Sequence, residues 1–389
     1  MNAQISFLDG TFSLIHIPLP LYSTFLQPIL QVLLPQAPPS CPEGLTVDSQ
    51  HGFLNISVTP IECSIVCHSS WTKAVIEPAI RRLPRDVSQT VSVSKDSYAV
   101  FSVISAGMDA GSRVVDLTSP LALAGIPIFF ITTYYSDFIL VPSKDRQSVV
   151  KALLARGFEF AEDSETSFKP AGGPSSGGHS RGGSQSSDPP STPPPSNVRE
   201  LQVRTFDLLR KRNVSPYVEK ELRLIHCSGR ERSSFGRGYA DQRPSLGRSG
   251  TGANGSRTRS WVDTVDTKLY TGLIAALVLQ PKFLSITLAQ DDPPSLLLDR
   301  ELLSVFGDSL VGPPDGELVP IFLDLDNFPF EATGIVSGVA GRLAEEMRMG
   351  ESAELSYLST ARAGAVILSG EQAVSALKVL RTSLGDRNA

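Results

Sequence analysis

The order of hydrophobic segments in residues 315–383 repeats the order in residues 96–162, and this duplication restricts the fold more than any other feature of the chain. In the earlier copy "SYAVFSVISAG" reads as a strand and "DAGSRVVDLTSPLALAG" as a helix. "IPIFFITT" and "DFILV" follow as strands, and "SKDRQSVVKALLARG" closes as an amphipathic helix. In the later copy "ELVPIFLDLDN", "EATGIVSGVAGRLAEE", "AELSYLST", "AVILS" and "GEQAVSALKVLRTSL" repeat that succession. Gly111 and Gly334 fall at equivalent helix starts, and Thr132-Thr133 corresponds to Ser359-Thr360. Neither copy can bury its apolar face alone, so the duplication predicts related β-α-β-β-α-β units packed as a pseudo-symmetric pair.

Strand, helix and strand material also precedes each copy, in "ISFLDGTFSLIHIPLPLYSTFLQPILQVLL" with "GLTVDSQHGFLNISVT", and in "KLYTGLIAALVLQPKFLSITLAQ" with "SLLLDRELLSVF" and "SLVGP". The reading is therefore of four small modules, at 1–75, 96–162, 262–314 and 315–383, with a low-complexity segment at 163–261. Between 167 and 197, Ser, Gly and Pro supply 22 of 31 positions, a composition expected to be disordered. "VRELQVRTFDLLRKR" within the segment reads as a short basic amphipathic helix, and "GRERSSFGRGYADQRPSLGRSGTGANGSRTRS" returns to a flexible composition. The expected fold class is α/β (α+β), with tandem ferredoxin-like modules, two per lobe, in a pseudo-symmetric arrangement.

The length of 389 residues and 41% hydrophobic content allow more than one core. A net charge of -5 gives no reason to expect a nucleic-acid partner, and the scattered arginines of the segment lack aromatic interleaving. Four cysteines, Cys41, Cys63, Cys67 and Cys227, are too few and too irregular for a disulfide framework, and no signal-peptide pattern opens the chain; both point to a reducing cytosol. The two most apolar stretches, from Phe12 and from Leu269, are broken by prolines or polar residues and read as strand plus helix, so no integral membrane segment is expected.

Three patterns could carry chemistry, and each has a plainer reading. "CSIVCH" holds Cys63, Cys67 and His68 without a fourth zinc ligand, and strand pleating sends neighbouring side chains to opposite faces. Asp324 and Asp326, with Asp291 and Asp292, fit exposed strand ends as well as a metal site. "GGPSSGGHSRGG" lacks the lysine and the strand-helix context of a phosphate loop. No catalytic residue, metal or cofactor is therefore expected.

"IPIFFITTYYSDFILVPSKDRQSVV", "EATGIVSGVAGRLAEE" and "LSYLSTARAGAVILSGEQAVSALKVL" resemble the CASTOR family of cytosolic amino-acid sensors built from ACT domains, over residues 1–162 and 262–383. The resemblance implies a non-enzymatic regulator that binds an amino acid between lobes and modulates a GATOR-type partner in TOR signalling. It implies ligand contacts from Pro127, Ile128, Glu331 and Gly334, and partner contacts from Tyr134 and Asp137. Ala361 stands where the family has an aromatic residue and Gly364 where it has an aspartate, which removes the warrant for arginine and leaves open a smaller amino acid, a different regulator, or a pocket that has lost ligand binding. Each residue also has a local reading: helix-end stabilisation for Glu331, strand entry and packing for Pro127 and Ile128, close helix packing for Gly334. Tyr134 with Tyr135 could brace the turn and Asp137 cap it. Two other functions stay open, a regulatory subunit or portion of an amino-acid metabolic enzyme, and a ligand-independent ACT scaffold. The expected location is cytoplasmic, with recruitment to a vacuolar or lysosomal surface through a partner, and self-association as a homodimer is compatible.

Overall fold

The computed structural model describes residues 3–34, 52–104, 111–161, 195–230, 265–290, 292–313, 315–347 and 354–385. Its strands are β1 Gln4–Phe7, β2 Phe12–Pro18, β3 Phe53–Val58, β4 Glu62–His68, β5 Ser92–Val93, β6 Tyr98–Ile104, β7 Phe129–Thr132 and β8 Asp137–Pro142. There follow β9 Glu159–Phe160, β10 Leu224–Gly229, β11 Leu284–Ala289, β12 Ser295–Asp299, β13 Leu310–Val311, β14 Leu318–Asp324, β15 Ser356–Ser359 and β16 Ala363–Ser369. The longer helices are α1 Tyr22–Leu33, α2 Arg113–Leu123, α3 Arg146–Leu154, α4 Val198–Lys211, α5 Thr267–Val278, α6 Ile335–Met347 and α7 Gly370–Leu384.

The chain divides into two compact units. Unit 1 comprises Met1–Leu14, Val93–Lys220 and Leu318–Ala389; unit 2 comprises Ile15–Ser92 and Glu221–Glu317. In unit 1 the strand order is β9-β1-β6-β8-β7-β15-β16-β14, antiparallel except for the short β1–β9 pair. In unit 2 it is β2-β4-β3-β11-β12-β10, with β13 on β10.

This pairing overturns the expected tandem of ferredoxin-like ACT modules with two per lobe. The fold is mixed α/β, and in each unit one sheet with flanking helices runs unbroken through segments from both halves of the sequence: β7 pairs with β15 through Ile131 and Leu358, and β3 pairs with β11 along six residues. An isolated module would leave those edge strands unpaired, and exposed edges are a liability that pairing removes. At the N terminus of unit 1, β1 pairs with β6, and Phe12 of β2 lies opposite Tyr98.

The side chains explain why these elements form. All six positions of β8, "DFILVP", are buried, as the central strand of a covered sheet requires. In α4, inside the low-complexity segment, Leu201, Thr205, Phe206 and Leu209 are buried at helical spacing. Its start is capped reciprocally. Asn197 Oδ1 accepts from the Glu200 N–H at 2.9 Å, and Glu200 Oε2 accepts from the Ser196 N–H at 2.8 Å. β10 also lies within residues 163–261, and Leu224, Ile225 and Cys227 on it are buried. The expected disorder at 163–194 and 231–261 lies outside the described residues.

Unit 1 has one apolar cluster, built from the sheet and from α2, α3, α4, α6 and α7. α4 and α6 pack closely because α6 presents glycine. A Cβ at Gly338 would lie 2.7 Å from Thr205 Cγ2, and one at Gly341 would lie 2.8 Å from Gln202 Nε2. α2 and α6 meet through a buried Ser119 to Ser337 hydroxyl pair at 2.9 Å.

Candidate functional site

Sequence duplication reappears as a repeated hairpin turn. Before β8, the Thr133 Oγ1 both donates to the Ser136 carbonyl at 2.7 Å and accepts from the Ser136 N–H at 3.2 Å. Before β16, Thr360 Oγ1 does the same with Ala363, at 3.3 and 3.1 Å. Thr59 and Glu62 repeat it before β4 in unit 2, at 3.2 and 3.2 Å. Threonine supplies these side-chain turns because its hydroxyl reaches a backbone group within a few residues. The turns fix a register, and Asp137 and Gly364 occupy the same station, one residue beyond the turn.

In unit 1 the junction of the two copies is stitched by side chains. The Phe130 N–H donates to Ser359 Oγ and the Tyr357 N–H donates to Thr132 Oγ1, each at 3.0 Å. Beside this junction lies a cavity of about 50 Å³. Ile128 and Phe129 form one wall, Phe328 and Phe330 of the loop after β14 a second, and Gly334, Ile335 and Val336 at the start of α6 a third. Tyr357, Ser359, Thr360 and Ala361 also line it. Gly334 has φ +82, a conformation that favours glycine, and its carbonyl accepts from Gly338 N–H at 2.7 Å and Thr205 Oγ1 at 3.2 Å. The first N–H groups of a helix have no acceptor within it and carry the positive end of the dipole.

Charge is kept out of the lining: its fifteen residues include none of Asp, Glu, Lys, Arg or His. Arg362, whose inward position would repel a cationic ligand, is turned to the loop. Its Nη1 donates to the Asp326 and Phe328 carbonyls at 3.0 and 3.4 Å, and its guanidinium lies 5.1 Å from the Phe330 ring centre. Tyr357 is 1% exposed, and its hydroxyl has no hydrogen-bond partner among the described residues. Burial raises the pKa of that hydroxyl and keeps it neutral.

The structure distributes the expected ligand residues unevenly. Ile128 and Gly334 line the cavity; Pro127 is buried just before β7, outside the lining. Glu331 is exposed, sits four residues before α6 rather than at its start, and also lies outside the lining. Gly334 serves close packing as well, since a Cβ there would lie 2.6 Å from Leu201 Cδ1. Tyr357 was not singled out in the sequence, although a polar-tipped residue within the apolar run "LSYLS" was a signal available for it.

Of the expected partner residues, Tyr134 is half-buried with its ring 4.9 Å from that of Tyr135, and Tyr135 is 48% exposed. Asp137 is not at the surface. It is 1% exposed and pairs with Arg113, Nε to Oδ2 at 2.8 Å, off the line that a hydrogen bond requires. Burial raises its pKa to about 6 against the pull of Arg113.

The other candidate chemistry resolves into packing. Cys63 and Cys67 are buried, with Cys67 Sγ 3.3 Å from Thr72 Oγ1, and His68 Nδ1 lies 2.6 Å from Ser70 Oγ. Asp324 Oδ1 accepts from the Asp326 N–H at 3.0 Å in the loop after β14. Cys41 and Asp291 lie outside the described residues. Among the described residues, no group of three or more His, Cys, Asp or Glu is placed to hold a metal ion, and no helix is long and apolar enough to cross a membrane.

Comparison with known proteins places an ACT domain at residues 93–155, the stretch from β5 to α3. No curated protein matches the chain. Among solved structures, protein Atu0741 of Agrobacterium tumefaciens is similar over 41% of this chain and 93% of its own, at 23% identity and a TM-score of 0.27. The regulatory subunit of aspartate kinase from Thermus thermophilus is similar over 39% and 95%, at 14% identity and a TM-score of 0.27. Aspartate kinase from Synechocystis is similar over 98% of this chain and 55% of its own, at 10% identity and a TM-score of 0.31. The chain thus contains an ACT domain, a relation to ACT-domain proteins in general rather than to the CASTOR family in particular.

Proposed function

We propose that the chain is an amino-acid-responsive ACT regulator, the regulatory portion of an amino-acid metabolic enzyme, and that it takes a small α-amino acid into the cavity of unit 1. The observation that carries this reading is the cavity itself, set between residues of the matched ACT domain and the first turn of α6. The ligand carboxylate meets the N–H groups at the start of α6, its side chain meets Ile128 and the phenylalanine walls, and Pro127 holds the backbone before Ile128 in place. Glu331, between the lining residues Phe330 and Ala332, approaches the ammonium group from the solvent side. Occupancy changes the regulated activity only as far as the ligand binds one arrangement more tightly than another.

A thermal-shift and calorimetric screen of the full chain against the proteinogenic amino acids tests this. A selective stabilisation by a small amino acid, weakened by Glu331→Ala, is expected, because a ligand of the folded state raises apparent stability. Absence of any shift or binding heat would refute it and leave the ligand-independent scaffold.

The exposed ring of Tyr135 on the turn beside Tyr134 favours a second reading, in which the turn contacts a GATOR-type complex in TOR signalling and brings a cytoplasmic protein to a vacuolar or lysosomal surface. Asp137 then holds the turn through Arg113 rather than touching the partner. Binding of the purified complex, weakened by Tyr134→Ala, would support this reading; no binding would remove it.

A further inference from the structure

We propose that α4, the helix in the segment between the two copies, is coupled to occupancy of the unit 1 cavity, so that a ligand seated there tightens the docking of α4 and loosening α4 weakens the ligand. The proposal rests on the cavity being the amino-acid site. Two of the cavity's walls bear on this helix. At the first, Thr205 Oγ1 donates to the Gly334 carbonyl at 3.2 Å, and Leu201 packs so closely that a Cβ on Gly334 would lie 2.6 Å from its Cδ1. At the second, Arg212, at the C-terminal end of α4, donates from Nη1 to the Asn327 carbonyl at 2.8 Å, and its guanidinium lies 5.8 Å from the ring centre of Phe328. Gly334 and Phe328 both line the cavity.

The loop after β14 is therefore clasped from two sides, by Arg362 from the β15–β16 turn and by Arg212 from α4. Arg362 sits between two paired strands of the sheet, whereas α4 is an added helix whose first turn satisfies its own polar groups through Asn197, Glu200 and Arg204. Its hold on unit 1 includes the apolar stripe of Leu201, Phe206 and Leu209 and the polar contacts of Thr205, Arg210 and Arg212, with Arg210 Nε donating to the Ser383 carbonyl at 3.0 Å. The contact with α6 has no slack, because neither Gly334 nor Gly338 leaves room for a Cβ beside Leu201 and Thr205. A shift of the first turn of α6 or of Phe328 is transmitted to α4, and a ligand that fixes those residues in place fixes α4 with them. Linkage makes the effect reciprocal: whatever factor the ligand adds to the docking of α4, docked α4 adds to the affinity for the ligand.

Hydrogen–deuterium exchange and isothermal calorimetry of the full chain test this, with the proteinogenic amino acid that stabilises it most in the thermal-shift screen as the probe. The probe should slow exchange in α4, residues 198–212, as well as in 325–336. Thr205→Val removes the bond to Gly334 but leaves that carbonyl its helical partner, the Gly338 N–H, and Arg212→Gln removes the clasp on the loop. Each should weaken the probe about fivefold or more and reduce the protection it gives to α4. Thr205→Ser and Arg212→Lys, which keep a donor at each place, should restore both, a rescue that a purely apolar role would not give. Protection of 325–336 with α4 unchanged, or full affinity in both T205V and R212Q, would overturn the coupling and leave the amino-acid site standing. Failure of every proteinogenic amino acid to bind would overturn the site, and the coupling with it.

Discussion

Replacing Arg113 by methionine should destabilise unit 1 in a way that depends on pH. Asp137 is 1% exposed, and its carboxylate has the Arg113 guanidinium at 2.8 Å, with Glu354 adding repulsion. Burial outweighs Arg113, so the folded pKa lies near 6 against an ordinary 3.8. The folded state then holds the proton more tightly than the unfolded chain, and the stability linked to this group is present in full below about pH 4 and lost as pH rises through 6. The unsubstituted protein therefore gains on the order of 1 kcal/mol from this one group between pH 7 and pH 5. Arg113→Met leaves Asp137 buried without its counter-charge and raises its pKa further. Breaking a buried pair costs about 3–5 kcal/mol, and because the Arg113 side chain keeps 16% of its exposure we expect about 3 kcal/mol at pH 7. Protonation relieves the lone carboxylate, so the cost at pH 5 should be about half that or less. Urea unfolding followed by far-ultraviolet circular dichroism at both pH values measures this. A cost below about 1 kcal/mol at pH 7, or an equal cost at the two pH values, would refute the account of the pair.

Two further predictions concern packing. Gly338→Ala would stabilise an exposed helix by about 1 kcal/mol, but here the new Cβ lies 2.7 Å from Thr205 Cγ2, on a β-branched residue with little freedom to turn. A net loss of about 1–2 kcal/mol and faster amide exchange in α4 are expected; stabilisation would contradict the α4–α6 contact. Cys63, Cys67 and Cys227 are buried and their thiol pKa values are raised by burial, to about 12 for Cys67 and Cys227. Alkylation of the native protein followed by mass spectrometry should leave these three unmodified until urea unfolds the chain, and rapid labelling of any of them would contradict their placement.

The periodicity of single segments was legible in the sequence, and their pairing was not. "SKDRQSVVKALLARG" and "GEQAVSALKVLRTSL" carry an apolar stripe at helical spacing, and α3 and α7 form there. Nothing in "ISF" says that it pairs with β6, and nothing in "FFIT" says that it lies against β15, because strand partners are chosen by tertiary packing. β10 was hidden for another reason. Its six residues sit between a stretch rich in Ser, Gly and Pro and one rich in Ser, Gly and Arg, and composition averaged over the segment masks a short buried run. Asp137 read as a polar turn residue, yet it opens β8, paired with Thr132 on one side and Val103 on the other, which buries it. At the cavity, Ile128 was named through the family resemblance and Gly334 through the resemblance and the duplication, whereas the approach of the Tyr357 hydroxyl to Gly364 is a relation across two strands that spacing along one strand does not show.

The central claim is that a small amino acid occupies the cavity at the start of α6, and hydrogen–deuterium exchange of the full chain with and without saturating amounts of the proteinogenic amino acid that stabilises it most in the thermal-shift screen tests it most directly. The account predicts slowed exchange in peptides covering 328–343 and 355–363, where the cavity is built, and unchanged exchange in β3 and β11 of unit 2. Unchanged exchange around the cavity, or protection confined to unit 2, would contradict it.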